Sequence, residues 1–456
     1  RFTNTPLSKN NSITTGQVYE EVIKRERKGD YLGRCVQVIP HITDEIKRRI
    51  KASRGKESDI LIVEVGGTVG DIESVPFLEA VRQFITDVGR DNVIYIHLTL
   101  IPKIKAADEF KTKPTQHSVQ KLREIGIQPD ILLCRIDGEM DIGMKKKISL
   151  FTNVEEEAVI DVVNIKHSIY EVPLNLEQRG LTEVIIKKLK LESSKKNLSI
   201  WENLVLNIKN PKHEVKIAVV GKYIELQDAY KSIYEALSHG GFANNAKLKI
   251  IKIRSDEVTD ENAASILGGA DGILVPGGFG DRGIEGKVAT AKYARENKIP
   301  YLGICLGMQI MVIEYARNIL GFKNANSTEF ENKTNYPVIS LLEEQEGVDN
   351  KGGTMRLGAN DSLLIENTKI YEAYQSVKIS ERHRHRYEFN NSYKEIFKEK
   401  GLIISGTTDD GLLVESVEWA NHPFGVGVQF HPEFKSKPFC PHPLFREFIK
   451  SVVSKV

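Results

Sequence analysis

Cysteine is scarce in this sequence of 456 residues: there are four, beside two tryptophans and five methionines. So few thiols in so long a chain exclude a disulfide-stapled fold and point to a reducing, cytoplasmic setting. Long hydrophobic runs are lacking too. The longest nearly unbroken one, Tyr301 to Ile313, ends at Glu314 and is too short to cross a bilayer. No basic segment followed by an apolar one opens the chain, so no secretory leader is expected. Nor is there an excess of charge of one sign: 64 Lys and Arg face 62 Asp and Glu, a net charge of +2. That excludes a global field for nucleic acid or a membrane surface, and any polyanion must meet a local site. Internal repeats, low-complexity tracts and sustained heptads are absent, which argues against solenoids and coiled coils.

What is there reads as a globular α/β chain of two or three domains, 40% hydrophobic and 28% charged. Asp59–Val65, Val93–Ile101 and Asp130–Ile136 are apolar, β-branched runs that read as buried strands. Ser74–Val88 and Thr115–Ile125 between them carry helical periodicity, so a parallel sheet covered on both faces is expected. From Lys187 to Lys212 the pattern degrades into a peripheral helix and linker. A second α/β series then begins, with strands expected at Val215–Gly221, Lys247–Ile253, Gly272–Pro276 and Tyr301–Ile304. Later strands are expected at Val338–Leu341, Leu402–Ser405 and Val426–Phe430.

The most informative window is Gly303-Ile-Cys-Leu-Gly307, between an apolar strand and a helical pattern over Met308–Leu320. Flanking glycines permit a sharp strand-to-helix turn with Cys305 as nucleophile, and the helix N-terminus favours a thiolate and supplies free N–H groups. A base is at hand in Gln429-Phe-His-Pro-Glu433. In an extended chain a spacing of two puts His431 and Glu433 on one face, so the carboxylate orients the imidazole. Val275-Pro-Gly-Gly-Phe-Gly280 follows a strand and could present the Gly278 N–H beside that of Leu306 as oxyanion donors. The same stretch matches a dinucleotide fingerprint, but no acidic residue closes a second strand about 20 residues on, and the oxyanion reading fits better.

In the first part, Lys111-Thr-Lys-Pro-Thr-Gln-His-Ser118 sets two lysines and several hydroxyls at a helix start. That suits phosphate or a plain surface loop. Glu64-Val-Gly-Gly-Thr-Val-Gly-Asp-Ile-Glu-Ser74 follows an apolar run. A carboxylate buried at Glu64 needs a partner or a metal, while Asp71 and Glu73 suit Mg²⁺ or ribose hydroxyls. Arg382-His-Arg-His-Arg-Tyr387 alone reads as a solvated basic loop or a nucleic-acid patch. Cys35 and Cys134 lie in apolar patterns and read as core residues, Cys440 as a loop thiol.

From Pro300–Gln309 through Gln429–Glu433, these segments resemble the class I (triad) glutamine amidotransferases. The resemblance implies a thioester at Cys305, ammonia release, and hydrolysis with His431 as acid and base. It implies that Gly278, Leu306, Gly307, Met308, Gln309, Glu329 and Arg386 hold glutamine. With Arg27–Gly33, Gln37–Ile42 and Gly352–Gly358 added, the chain resembles the CTP synthase family from about Asn11 to Phe448. That family implies two doubly wound α/β domains: a P-loop-type synthetase over 1–190, a linker over 191–213 and a glutamine amidotransferase over 214–456. It implies ATP-dependent amination of UTP, with Asp71, Ile72, Glu73, Lys111, Thr112, Lys113, Pro114, Thr115, Gln116 and Lys147 lining the UTP/CTP site. Glu64 would bind Mg²⁺. Arg27–Gly33 resembles a lid, Arg356 lies in a loop linked to activation by GTP, and the family forms homo-tetramers.

No Gly-x4-Gly-Lys-Ser/Thr segment occurs, and the sequence starts at Arg1. The expectation is therefore a chain without the family's N-terminal P-loop and Mg²⁺ contacts, silent as a synthetase but whole as a glutaminase. The loop between Leu342 and Gly352 is short for the family. The alternatives are a free-standing Cys hydrolase of γ-glutamyl substrates and a nucleotide-binding assembly protein without turnover.

Overall fold

The computed structural model describes every residue except 1, 4, 6, 56, 57, 105, 107, 193–195, 227, 279 and 342–354. The short loop of 342–352 and the first residues of Gly352–Gly358 thus lie outside the described residues. The chain divides into two compact units, Thr3–Val205 and Leu206–Val456.

The first unit opens with helices α1 (Thr15–Lys28) and α2 (Thr43–Ser53) and continues to α3 (Val75–Val88). Thr14 and Gln17 form a reciprocal cap at the start of α1, and Gly29 ends it at φ 89°, donating to the Arg25 and Glu26 carbonyls. Val18, Val22, Ile46, Ile50 and Ala80 close a small core between these helices. Next come β1 (Ile96–Ile101), the short β2 (Lys103–Ile104) and β3 (Glu109–Phe110), and α4 (Lys113–Glu124). The chain then runs through β4 (Ile131–Ile136), α5 (Ile142–Thr152), β5 (Val159–Val163), α6 (Val172–Gln178) and α7 (Leu181–Leu189). Strands β1, β4 and β5 pair in parallel, and Ile131, Leu132, Cys134, Ile136, Ile148 and Val159 fill the core beneath them.

Three expectations for this unit fail. Asp59–Val65 is not a strand: the run is irregular, and Ile62 is 87% exposed. Apolar, β-branched character makes a strand only where a neighbouring backbone offers hydrogen bonds, and this run enters none of the described ladders. Nor is the sheet covered on both faces, since Ile96, Leu98 and Leu100 of β1 are exposed. Cys35 is exposed rather than core, whereas Cys134 is buried.

Helix α8 (Ser199–Lys209) carries the division between the units. The second unit starts with β6 (His213–Gly221), α9 (Lys231–Ala243), β7 (Ala246–Arg254), α10 (Ala263–Leu267) and β8 (Gly272–Val275). Then follow α11 (Ile284–Glu296), β9 (Tyr301–Ile304), α12 (Leu306–Asn318), β10 (Ala325–Ser327) and β11 (Tyr336–Leu341). Strand β12 (Arg356–Leu364), α13 (Lys369–Tyr374), β13 (Lys378–His385), β14 (Tyr387–Phe389) and α14 (Lys394–Glu399) come next. The unit closes with β15 (Leu402–Thr407), β16 (Val414–Trp419), β17 (Gly425–Val428) and α15 (Pro443–Val453).

Among the described residues one large sheet runs β13-β12-β15-β16-β17-β9-β8-β6-β7. Its β17-β9-β8-β6-β7 half is parallel and its other half antiparallel. The central strands β8, β9 and β17 are buried at every position, because helices lie on both faces, as expected for a doubly wound sheet. Their carboxyl ends, at Val275, Ile304 and Val428, stop side by side. The chain leaving each of them builds the site.

Candidate functional site

Cys305 stands between β9 and α12 with φ 53° and ψ −105°, a left-handed conformation that a non-glycine residue adopts only when its surroundings hold it there. Its neighbours explain how the turn fits. A Cβ on Gly303 would meet the Gly307 carbonyl at 2.6 Å, and one on Gly307 would meet the Val275 oxygen at 2.1 Å. The Tyr301 hydroxyl donates to the Gly307 oxygen at 3.0 Å, and the Cys305 N–H donates to Val428 O at 2.7 Å. The nucleophile elbow is therefore fixed from both neighbouring strands.

His431 follows β17, and its backbone N–H donates to the Arg382 oxygen of β13 at 2.7 Å. Nδ1 of His431 lies 2.8 Å from Glu433 Oε1, which leaves Nε2 for Cys305. The expected contact is present, but its geometry differs. Strand β17 ends at Val428, and Glu433 sits inside the 3-10 turn Pro432–Phe434, so the turn and not strand alternation brings it to the ring. Burial alone would lower the His431 pKa. The Cys305 sulfur, through charge and hydrogen bond, and Glu433 outweigh it and push it up to about 10.

Residues expected around glutamine arrive in part. Gly278 faces the same place as Leu306: a Cβ there would lie 3.7 Å from Leu306 Cδ2. Glu329 accepts the Gly280 N–H at 3.0 Å. Burial raises its pKa against the pull of that N–H, Arg386, Lys222 and Lys287, which places these cations about one carboxylate. Gln309 is buried and donates to the Tyr387 carbonyl at 3.0 Å and to Gln429 Oε1 at 3.3 Å. The Met308 side chain packs into the core, close to Gly427 of β17.

Sequence reading missed two residues here. Gln429 is fully buried and its Nε2 lies 3.7 Å from Cys305 Sγ, linking Gln309 to the nucleophile. Lys287 on α11 is 1% exposed, and burial, with Lys222 adding, lowers its pKa to about 8. The first could have been suspected from its place beside Phe430 and His431. The second carried no local signal.

Arg382–Tyr387 is not a solvated loop. Arg382–His385 closes β13, with Arg382 and Arg384 outward and His383 and His385 inward, and Arg386 then links it to β14, which opens at Tyr387. His383 Nε2 lies 2.6 Å from Glu415 Oε2, His385 Nδ1 lies 3.3 Å from Glu388 Oε1, and Arg356 pairs with Glu415. Burial, against Arg356 and aided by Glu415, raises Glu388 to about 8. Arg356 is accordingly the first residue of a strand and is held in ion pairs, not in a free loop.

The first unit places its expected residues differently. Lys111 pairs with Glu109 at 2.6 Å, and Lys147 acts on the same carboxylate, so these two lysines gather. Lys113 and Pro114 are exposed at the start of α4. Thr112 is buried and accepts from Gln116 at 3.2 Å. Thr115 is turned inward, its hydroxyl donating to Leu100 O at 3.2 Å and Thr99 Oγ1 at 3.1 Å, so that hydroxyl seats the helix on β1. Asp71, Ile72 and Glu73 are exposed, with Asp71 Oδ2 accepting the Thr68 N–H at 2.9 Å. Beyond β1 and β4, Ile101, Pro102, Lys103, Arg135 and Asp137 line a cavity of about 610 Å³, at the usual ligand position of a parallel sheet.

Glu64, expected to bind Mg²⁺, is exposed on irregular chain and not in a buried strand. Among the described residues no three carboxylate, His or Cys groups gather into an all-protein metal cage. No described helix is long and apolar enough to cross a membrane.

Comparison with known proteins agrees with this division of chemistry. Residues 1–191 match the family model described as CTP synthase N-terminus, and 225–451 match glutamine amidotransferase class-I. A CTP synthase of Aquifex aeolicus is 56% identical over 451 residues, covering 99% of this chain and 84% of that relative. That of Geobacter metallireducens is 56% identical over 454 residues, with 99% and 84% covered. A solved structure titled as the Trypanosoma brucei CTPS glutaminase domain with bound acivicin is 41% identical. It covers 53% of this chain and 94% of its own, with a TM-score of 0.50. Nothing in these matches supports the expected loss of synthetase activity.

Proposed function

The chain belongs to the CTP synthase family, and from that premise we propose that it is a glutamine-hydrolysing ligase that aminates UTP to CTP at the expense of ATP. The observation that carries the reading is Cys305, strained into the elbow and held between Gln429 and the His431–Glu433 pair.

His431 is held protonated up to about pH 10, and that imidazolium together with the N-terminus of α12 favours the thiolate as the attacking form of Cys305. Sγ of Cys305 attacks the glutamine side-chain carbonyl carbon, and the oxyanion takes hydrogen bonds from the Gly278 and Leu306 N–H groups. The C–N bond breaks as His431 gives its proton to the leaving nitrogen, and ammonia departs. Neutral His431 then takes a proton from water, hydroxide attacks the thioester, and glutamate leaves as the thiolate returns. Glu433 holds the ring orientation and its charge through both steps. Glu329 suits the α-ammonium of glutamine and Arg386 its α-carboxylate.

In the first unit, Lys111, Lys113 and Lys147 supply charge for the UTP phosphates at the open start of α4. The cavity beyond β1 and β4 is sized for the nucleoside of the co-substrate ATP. Glu64, exposed and close in sequence to Asp71, would hold Mg²⁺ together with the nucleotide phosphates, where the ion would neutralise their charge. Activation by GTP and assembly as a homo-tetramer are carried over from the family, and the free thiols suit the cytoplasm. Neither a free-standing hydrolase nor an assembly protein without turnover is favoured by any observation here.

The test is glutamine hydrolysis with and without GTP, beside CTP formation from UTP, ATP and glutamine. Hydrolysis without any CTP formation would reduce the proposal to its glutaminase half, and the absence of both would end it.

A further inference from the structure

Helix α11 buries Ile284, Val288, Ala291 and Ala294 against the sheet, as an α/β helix should. One lysine shares that buried face. A lysine 1% exposed among aliphatic side chains is costly unless negative charge compensates it, so its surroundings indicate its use. A Cβ built on Gly278 would lie 3.8 Å from Lys287 Nζ and 3.7 Å from Leu306 Cδ2. A Cβ on Gly277 would lie 3.4 Å from Cys305 Cβ and 3.0 Å from His431 Cε1. The Gly277–Gly278 turn thus has the nucleophile and its base at one residue and the lysine ammonium at the next.

We propose that Lys287 is a positioning residue of the glutaminase reaction, its buried ammonium set against the Gly277–Gly278 turn to favour negative charge on Cys305 and on the oxyanion. The inference rests on the glutaminase reading above. The charges around it are few. Lys287 faces Cys305 and Glu329, which hold its proton on, and Lys222, which opposes it. Cys305 also faces His431 with Glu433 behind it, and His431 acts in turn on His385. Arg386 also acts on Glu329. The imidazolium balances the resting thiolate, but its proton leaves with ammonia and returns only as water is deprotonated. Lys287 keeps its charge through both steps, including the interval in which His431 is neutral. Because burial brings its pKa down to about 8, its help fades as pH rises past that value.

The test uses the full chain carrying C35S and C440S, which removes the two exposed thiols. K287M keeps the length of the side chain without its charge, and K287R keeps the charge. The pH profile of Cys305 alkylation by iodoacetamide is measured beside kcat and KM for glutamine. For K287M the alkylation profile is expected to shift up by about one pH unit, with kcat at neutral pH about tenfold lower and KM nearly unchanged. K287R is expected to restore most of both. Superimposable alkylation profiles and equal kcat for K287M and the parent would overturn the proposal. A parent that alkylates at Cys305 but hydrolyses no glutamine would instead sink the glutaminase reading. If K287M does not fold, by near-ultraviolet circular dichroism, K287Q is read by the same criteria.

Discussion

In residues 206–456 the reacting groups are buried and already in contact, whereas in residues 3–205 the expected nucleotide contacts sit mostly at the surface. Cys305, Gln429 and Glu433 are all less than a tenth exposed, and each is tied to a strand end. Lys113, Asp71, Ile72 and Glu73 are open to solvent, and Lys111 pairs with the exposed Glu109. The difference follows from the chemistry. A covalent site must hold a thiolate, its base and oxyanion donors at fixed distances before substrate arrives, and only a packed sheet with satisfied strand ends does that. Binding a nucleotide polyphosphate needs cations that keep their charge in water, and surface lysines keep theirs without a burial penalty.

The sharpest way to break this comparison is Cys305→Ala. Glutamine hydrolysis is expected to fall by about 10⁴-fold or more, while CTP formation from free ammonia in the same protein is unchanged. Parallel loss of both would mean that the two units do not hold separable chemistries. Glu433→Gln comes next, with kcat down by about 10³-fold. Since Glu433 helps to raise His431, its loss lowers the ring's pKa, and the alkaline limb of the alkylation and kcat profiles should move to lower pH. An unmoved limb would show that Cys305 alone sets the ring.

In the other unit, Lys111→Ala and Lys147→Ala should each raise KM for UTP by about tenfold, as loss of one charge-assisted contact would. Glutamine hydrolysis in the absence of nucleotides should be untouched. A fall in that activity would put these lysines in the wrong unit. The smallest effect concerns stability. Buried Glu388 is raised to about 8, so the folded state binds its proton more tightly than the unfolded chain. Its contribution is therefore present below about pH 4.5 and lost as pH climbs to about 8. The two tryptophans fall one in each unit, Trp201 and Trp419, so Trp201→Phe makes fluorescence report the glutaminase unit alone. The urea midpoint of that unit should fall over this pH range, and Glu388→Gln should flatten the slope.

Legibility in the sequence followed the same boundary between local and distant. The elbow at Cys305 was readable because the strand, the glycines and the helix start are contiguous. His431 and Glu433 were readable as partners, although a turn and not a strand joins them. Lys287 was not, because a lysine in a helix reads as solvated until the helix is seen to bury that face. Arg382–Tyr387 misled for the converse reason: its charges alternate with histidines that point inward, and only pairing with β12 reveals which is which. Asp59–Val65 had every local mark of a strand, but a strand also needs a ladder, and that is never local.

The central claim is that Cys305 forms a thioester with glutamine. Acid quenching during turnover, followed by mass spectrometry of the peptide carrying Cys305, tests it most directly. A γ-glutamyl adduct on that cysteine, absent from Cys305→Ala, is the expected result. Turnover of glutamine with no adduct, persisting in Cys305→Ala, would contradict it.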